Sequence, residues 1–244
     1  MKYVSRTNAP PPLTRWAERW TQEIKDALER YQSGAGPAPA PLLWNKYRKN
    51  YVQEALYTMF HGKCAYCESK IGHIDYLHIE HYRPKSKYPE LTFQWENFLA
   101  ACTKCNTNKG DTFPLDEAES PLLIDPCIDN PAQHMWFINA RLVPLTRRGQ
   151  VTCDVIKLNR DDLFDQRREQ LRRAWYIYQT VCDYRASGNT ELEQEGQAIL
   201  DDLVSESAEL CCNDATGFSR DCGWTSAIPP LTPCSGEALQ KLVR

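Results

Sequence analysis

Apolar residues recur every three or four positions over Leu13–Tyr31, with Trp16, Trp20, Ile24, Leu28 and Tyr31 on one stripe. That period predicts an amphipathic helix. The stretch SGAGPAPAPL, Ser33 to Leu42, cannot extend it, because proline lacks an amide donor and glycine is conformationally loose. It predicts a linker. A second helix is expected from Leu43 to Phe60, with Trp44, Tyr47, Tyr51, Ala55 and Met59 facing inward. Between His61 and Pro114 the period changes. KCAYCESK predicts a tight cysteine-bearing turn, YLHIEHYRP a short strand stopped by Pro84, and LTFQWENFLAACTKCNTNKG a loop that returns to a second cysteine pair and enters a helix or turn. The runs MWFI, RLVPL and VTCDVI between Met135 and Leu158 flank Asn139–Ala140 and the turn-like Arg148–Gly149–Gln150, predicting a small β-hairpin or meander. Asn159 or Asp161 is a candidate cap for the next helix, whose stripe is Phe164, Leu171, Trp175, Tyr178 and Cys182. A last helix is expected over Leu192–Leu210. The tail beyond Cys211 carries no assignable pattern.

Composition adds bounds. The 244 residues are 42% hydrophobic and 25% charged, an ordinary globular balance. Neither a spanning apolar run nor a secretory h-region is visible, so a cytoplasmic location without membrane attachment is the expectation. Net charge is −3, unusual for a chain that grips nucleic acid unaided. Charge is also segregated. From Asp183 to Asp221 there are ten acidic residues against two basic ones, Arg185 and Arg220, whereas basic residues gather around the cysteine pairs and in Arg141–Arg173. Such a weak overall grip suggests that a partner supplies part of substrate binding.

The eleven cysteines are informative through their spacing. An odd number in a chain with no export signal argues against a disulfide framework. Cys64/Cys67 and Cys102/Cys105 form two CxxC pairs separated by 34 residues. Each pair chelates naturally, and four thiolates match a tetrahedral structural zinc. The gap exceeds a simple zinc ribbon, so something is folded between the knuckles. Hydrophilic Lys63, Glu68, Lys104 and Asn106 around the sulfurs suggest a superficial site. The other seven cysteines read as reduced, partly buried thiols.

The intervening segment holds HIEHYRPK and WENF, and the second knuckle continues into CNTNKG. Cutting a phosphodiester requires a base, a cation and phosphate-positioning groups. His81 is a candidate base, titrating near neutrality when unperturbed. Glu80 and Asn106 offer hard oxygens for a magnesium-like ion, and Arg83, Lys85 and Lys109 are candidate phosphate contacts. Adjacent Glu80 and His81 would face opposite ways in a regular strand, so they can serve one phosphate only if the strand ends there. Alternatively, His78 and Glu80 share a face.

CAYC…IEHYRPK…WENFLAACTKCNTNKG resembles the HNH endonuclease module of the ββα-metal type, with Glu80–His81 in place of the commoner Asp–His pair and Asn106 in place of the final histidine. The Pro-rich start, FPL at Phe113, LIDP at Leu123 and the helix after VIKLNRDDL are similar to PtuB-type HNH proteins of Septu and retron-linked anti-phage systems. The resemblance implies His81 as general base, Glu80 and Asn106 as ligands of a catalytic Mg2+ or Mn2+, Asn97 as a brace on the active-site loop, and structural Zn2+ on Cys64, Cys67, Cys102 and Cys105. It also implies a nucleic acid substrate, a PtuA-type ATPase partner and, for retron-linked members, a reverse transcriptase–noncoding RNA complex, all in the bacterial cytoplasm. DNA is the favoured substrate. Structured RNA such as tRNA and a non-catalytic zinc module for nucleic-acid binding are the alternatives.

The expected architecture is therefore α+β and mainly helical. Residues 1–60 form a helical region with a Pro-rich linker, and 61–115 a zinc-stapled HNH module. Residues 116–160 form a loop and small hairpin, and 161–244 a C-terminal helical region with an irregular tail.

Overall fold

Proline opens the first helix. Pro11 occupies its first position, where a missing amide costs nothing, and α1 runs Pro11–Gln32. The computed structural model describes residues 1–72 and 76–203. The buried face of α1 is Leu13, Ala17, Thr21 and Ile24. The expected stripe is buried only in part: Ile24 is in the core and Trp20 and Leu28 pack against it, whereas Trp16 is 37% exposed and stacks on Trp20. Trp20 still meets the ring of Phe93 edge-on, tying α1 to the central module.

The expected single helix over Leu43–Phe60 is broken into α2 (Pro41–Trp44) and α3 (Asn50–Met59). Lys49 between them is extended. The break leaves Tyr47 buried, against His81 and Phe98. A continuous helix would have fixed that side chain by its own period. Val52, Leu56 and Met59 are the buried residues of α3.

At the centre lies a ββα unit. β1 (His78–His81) pairs antiparallel with β2 (Phe98–Ala101), in register His78↔Ala101 through His81↔Phe98. Helix α4 (Thr103–Lys109) follows directly. β2 lies in a stretch expected to be loop; it reads FLAA, an unalternating run with no strand period, and is buried at all four positions, as a strand covered on both faces must be.

A second hairpin, β3 (Met135–Ile138) with β4 (Arg141–Pro144), turns at Asn139, which carries the positive φ that asparagine tolerates. VTCDVI, expected as a further strand, is helical instead: α5 spans Arg147–Ile156. Its start is a side-chain cap missed in the sequence, Thr146 accepting from the Gly149 amide at 3.1 Å. Gly149 is required by proximity, since a Cβ there would lie 2.0 Å from the His134 carbonyl oxygen. Gly149→Ala is therefore expected to cost about 1–3 kcal/mol or more through forced backbone separation, read as a lowered denaturation midpoint. An unchanged midpoint would contradict the close packing.

The C-terminal part is a helical hairpin, α6 (Asp161–Ser187) and α7 (Thr190–Leu203), closed by Gly188 in the left-handed region. Neither candidate cap is used. Arg160 occupies the N-cap position without a side-chain bond, while Asn159 clamps both the amide and the carbonyl of Leu142 at 2.9 and 2.7 Å. Tyr178, Val181, Cys182 and Leu200 form a small core of their own. The rest of the last expected helix, and Cys211, Cys212, Cys222 and Cys234, lie outside the described residues. Cys127, Cys153 and Cys182 are buried thiols. No helix among the described residues is long and apolar enough to cross a membrane.

Candidate active site and metal centre

Cys64 and Cys67 sit on a turn closed by Cys64 N–H to Ser69 O and Glu68 N–H to Cys64 O, both 3.0 Å. Glu68 takes the positive φ that the turn demands. Ala65 N–H donates to Ala100 O at 2.8 Å, which moors this knuckle to β2. Cys102 caps α4 and Cys105 lies one turn on. All four ligand atoms fall within 4.8 Å of one another. Zinc–sulfur bonds of about 2.3 Å in a tetrahedron require sulfurs about 3.8 Å apart, and Cys67 Sγ to Cys102 Sγ is 3.8 Å. The donor set thus fits structural zinc. Contrary to the superficial site expected, every one of these cysteines is buried, because α6 covers the knuckles. Arg160 Nη1 points at Cys105 Sγ (3.6 Å), Lys104 pairs with Asp162 (2.8 Å), and Ser69 meets Gln166 (3.2 Å). A guanidinium beside a zinc–tetrathiolate offsets its net negative charge.

β1 ends at His81, and its two last side chains diverge as strand geometry requires. His81 turns toward Tyr47 and Phe98, with ring centroids at 4.7 and 5.1 Å. Its Nε2 lies 2.9 Å from the Thr92 carbonyl oxygen. A carbonyl only accepts, so Nε2 carries the proton and Nδ1 keeps its lone pair. Burial pulls the His81 pKa down to about 3 against the Thr92 bond, with Lys85, Lys109 and Arg48 lowering it further. The imidazole is neutral.

Glu80 turns toward α4. Its carboxylate meets Lys109 Nζ at 2.5 Å, and the same ammonium donates to His81 O at 2.7 Å. Lys109 differs here from its expected role at phosphate: its side chain is 0% exposed and its charge is used inside the protein. Deleting one member of a buried ion pair strands the other. Lys109→Met is thus expected to cost about 3–5 kcal/mol, partly recovered in the double variant with Glu80→Gln. Wild-type denaturant stability in Lys109→Met would refute this.

Asn106 lies three residues before Lys109 on α4 and is half-buried. The Tyr66 hydroxyl is buried and has no hydrogen-bond partner among the described residues. Burial, and then the Glu80 carboxylate, push its pKa up. Carboxylate, amide and hydroxyl oxygens are the kinds of donor that a hydrated divalent cation takes. His78, the alternative partner for Glu80, has its Nε2 at 2.9 Å from Thr103 Oγ1.

Asn97 closes the loop after β1. Its Oδ1 accepts from Arg83 N–H at 2.8 Å, and its Nδ2 donates to the carbonyls of Arg83 and Leu91 at 3.0 and 3.2 Å. Within that loop Arg83 lies over the rings of Tyr88 and Phe113. Lys85 reaches Asn45 Oδ1 and the Tyr47 hydroxyl. Tyr47 thus joins Lys85 to His81. Sequence reading missed Thr92, Tyr47 and Arg48. Thr92 acts through its backbone carbonyl, which no residue pattern reports. Arg48 is exposed and acts electrostatically on His81, and Tyr47 read only as an inward-facing helix residue.

A ββα unit with zinc-type knuckles at both ends, a neutral histidine and an acid–amide pair defines a class. Residues 64–112 match the HNH endonuclease family model. The chain is 30% identical over 140 residues to the Retron Vc95 putative HNH endonuclease of Vibrio cholerae serotype O1 biovar El Tor, covering 53% of this chain and 67% of that protein. The chain belongs to the HNH endonuclease family. Within it, the chain is related to the Septu proteins: it is 32% identical over 163 residues to a Septu protein PtuB of Bacillus thuringiensis, covering 66% of this chain. The match spans 56% of that relative's length. A segment amounting to 20% of a Septu protein PtuA from Bacillus mycoides is also 30% identical to 51% of this chain.

Proposed function

We propose that this chain is the nuclease subunit of an anti-phage defence system, hydrolysing phosphodiester bonds in nucleic acid with DNA as the favoured substrate. The observation that carries the reading is the state of His81. It is neutral, fixed as a single tautomer by the Thr92 carbonyl, and stands at the end of β1 inside a loop tied down by Asn97.

His81 Nδ1 takes the proton of the attacking water while Nε2–H stays on Thr92, so the ring does not need to turn during the step. An approaching phosphate favours the protonated ring and offsets part of the burial that holds its pKa down. Arg83 and Lys85, with Arg48 beside them, orient the phosphate by charge. Glu80 and Asn106 would hold a magnesium- or manganese-class ion, which when bound stabilises charge on the leaving oxygen. Burial pushes the Glu80 pKa up, and Lys109 opposes that shift while also holding the last peptide of β1. Tetrathiolate zinc holds the frame.

A PtuA-type ATPase is proposed as the controlling partner, and a retron-type reverse transcriptase–RNA complex as the further assembly for such chains. Relationship to a PtuB protein, likeness to part of a chain named PtuA, and likeness to a retron-linked HNH protein support these assignments. So does a net charge of −3, too negative for strong independent binding.

The test is cleavage of labelled double-stranded DNA and of total RNA with magnesium or manganese, with and without the neighbouring ATPase. Metal-dependent DNA cleavage is expected. Cleavage of RNA alone would overturn the substrate assignment, and no cleavage of either with the partner present would overturn the enzymatic one.

A further inference from the structure

Residues 2–7 have no regular secondary structure, yet they are fastened along the whole nuclease module. Lys2 N–H donates to Glu68 Oε1 at 3.0 Å, beside the first zinc knuckle, and Val4 N–H donates to Pro126 O at 2.8 Å. Trp95 Nε1 donates to Thr7 O at 2.7 Å. Between these anchors Arg6 Nη1 donates to two carbonyls, Trp95 O at 2.8 Å and Phe98 O at 2.9 Å.

Those two carbonyls bracket Asn97. Trp95–Asn97 is a single 3-10 turn running straight into β2, and a turn that short has little rigidity of its own. Asn97 nevertheless has to make four hydrogen bonds in fixed directions. Its own carbonyl accepts from Tyr82 N–H at 2.9 Å. Its amide side chain makes the three bonds to Arg83 and Leu91 that close the loop. A charged donor gripping the carbonyls on both sides fixes the Trp95–Glu96 and Phe98–Leu99 peptides, which flank the two peptides of Asn97.

We propose that Arg6 is a positioning residue of the nuclease site. It sets the turn that carries Asn97, and through Asn97 it sets the loop that follows His81. The inference rests on the reading of His81 and Asn97 as site residues, but its physical content can be measured without any cleavage assay.

The test compares wild type, Arg6→Lys and Arg6→Ala, each checked for zinc content and far-UV spectrum, by amide hydrogen exchange and by steady-state cleavage. In Arg6→Ala the Tyr82 and Arg83 amides are expected to exchange about 10–100-fold faster, the factor carried by hydrogen bonds to a charged group. Amides within α3 and α4 should keep their rates. Arg6→Lys keeps the charge but lacks the planar fork, so it should fall between the two. For cleavage, kcat should drop about tenfold or more with KM within about twofold, the pattern of lost site geometry without lost substrate binding. Unchanged exchange at Tyr82 and Arg83, or equal acceleration across α3 and α4, would overturn the proposal. So would wild-type kcat in an Arg6→Ala protein whose loop amides have loosened. If the exchange pattern appears but wild type cleaves nothing, the nuclease reading fails while the mechanical role of Arg6 stands.

Discussion

His81→Gln is expected to lower cleavage by about 10²–10⁴-fold, the usual contribution of a positioned general base, while zinc content and fold persist. Glutamine is the informative replacement because of where the ring lies. His81 is 7% exposed and wedged edge-on between Tyr47 and Phe98. Alanine there would open a cavity and leave the Thr92 carbonyl without its donor. Glutamine fills more of the space and keeps an N–H for Thr92, but it has no nitrogen that accepts a proton near neutrality. Both variants should be assayed. His81→Ala should lose activity together with some thermal stability, and His81→Gln should lose activity alone. Cleavage at the wild-type rate by a folded, zinc-loaded His81→Gln protein would remove His81 from the chemistry.

Removing zinc is expected to unfold the module. Strong chelation, or Cys64→Ser, should abolish the cooperative thermal transition of the residues between the knuckles. Tightly held structural zinc is worth about 10–16 kcal/mol of apparent free energy in small metal-dependent modules. A whole domain is stable by only about 5–15 kcal/mol, so no remaining contact set compensates. The geometry makes the dependence local and severe. The four sulfurs converge in the interior, one knuckle hangs from β2 through Ala65 and Ala100, and the other starts the helix that carries Asn106 and Lys109. Loss should also reach α6, whose beginning is docked on the knuckles by Arg160, Asp162 and Gln166. The measurement is zinc content against the circular dichroism melting curve. A zinc-free wild type that melts at the same temperature would refute this.

The cysteine frame was legible because its geometry is local. Two residues between cysteines suffice to aim both sulfurs at one point. The Glu80–His81 pair and the Asn97 and Asn106 positions are likewise ordered along one short run that has to double back between the two cysteine pairs. Strand alternation would part Glu80 and His81, and the end of the strand was expected to let both serve one phosphate; the strand does end at His81, yet the two side chains turn to different neighbours, Lys109 and Tyr47. The presence of α1 and α6 followed from periodicity in the same way.

The sequence by itself thus determined the four-cysteine frame, since neighbouring residues decide it, while the ββα core followed from the family resemblance and its second strand stands where the residue pattern gave a loop. Only the tertiary structure decided which helix face is buried: periodicity sets the spacing of apolar residues but not which neighbour covers them, and α1 buries Leu13 while leaving Trp16 in solvent. It alone buried Lys109 against Glu80, supplied the Thr92 carbonyl that fixes the His81 tautomer, and brought Arg6 to a turn some ninety residues away. Contacts of that range form only when the chain has folded, because their partners are backbone groups or distant charges that leave no periodic trace along it.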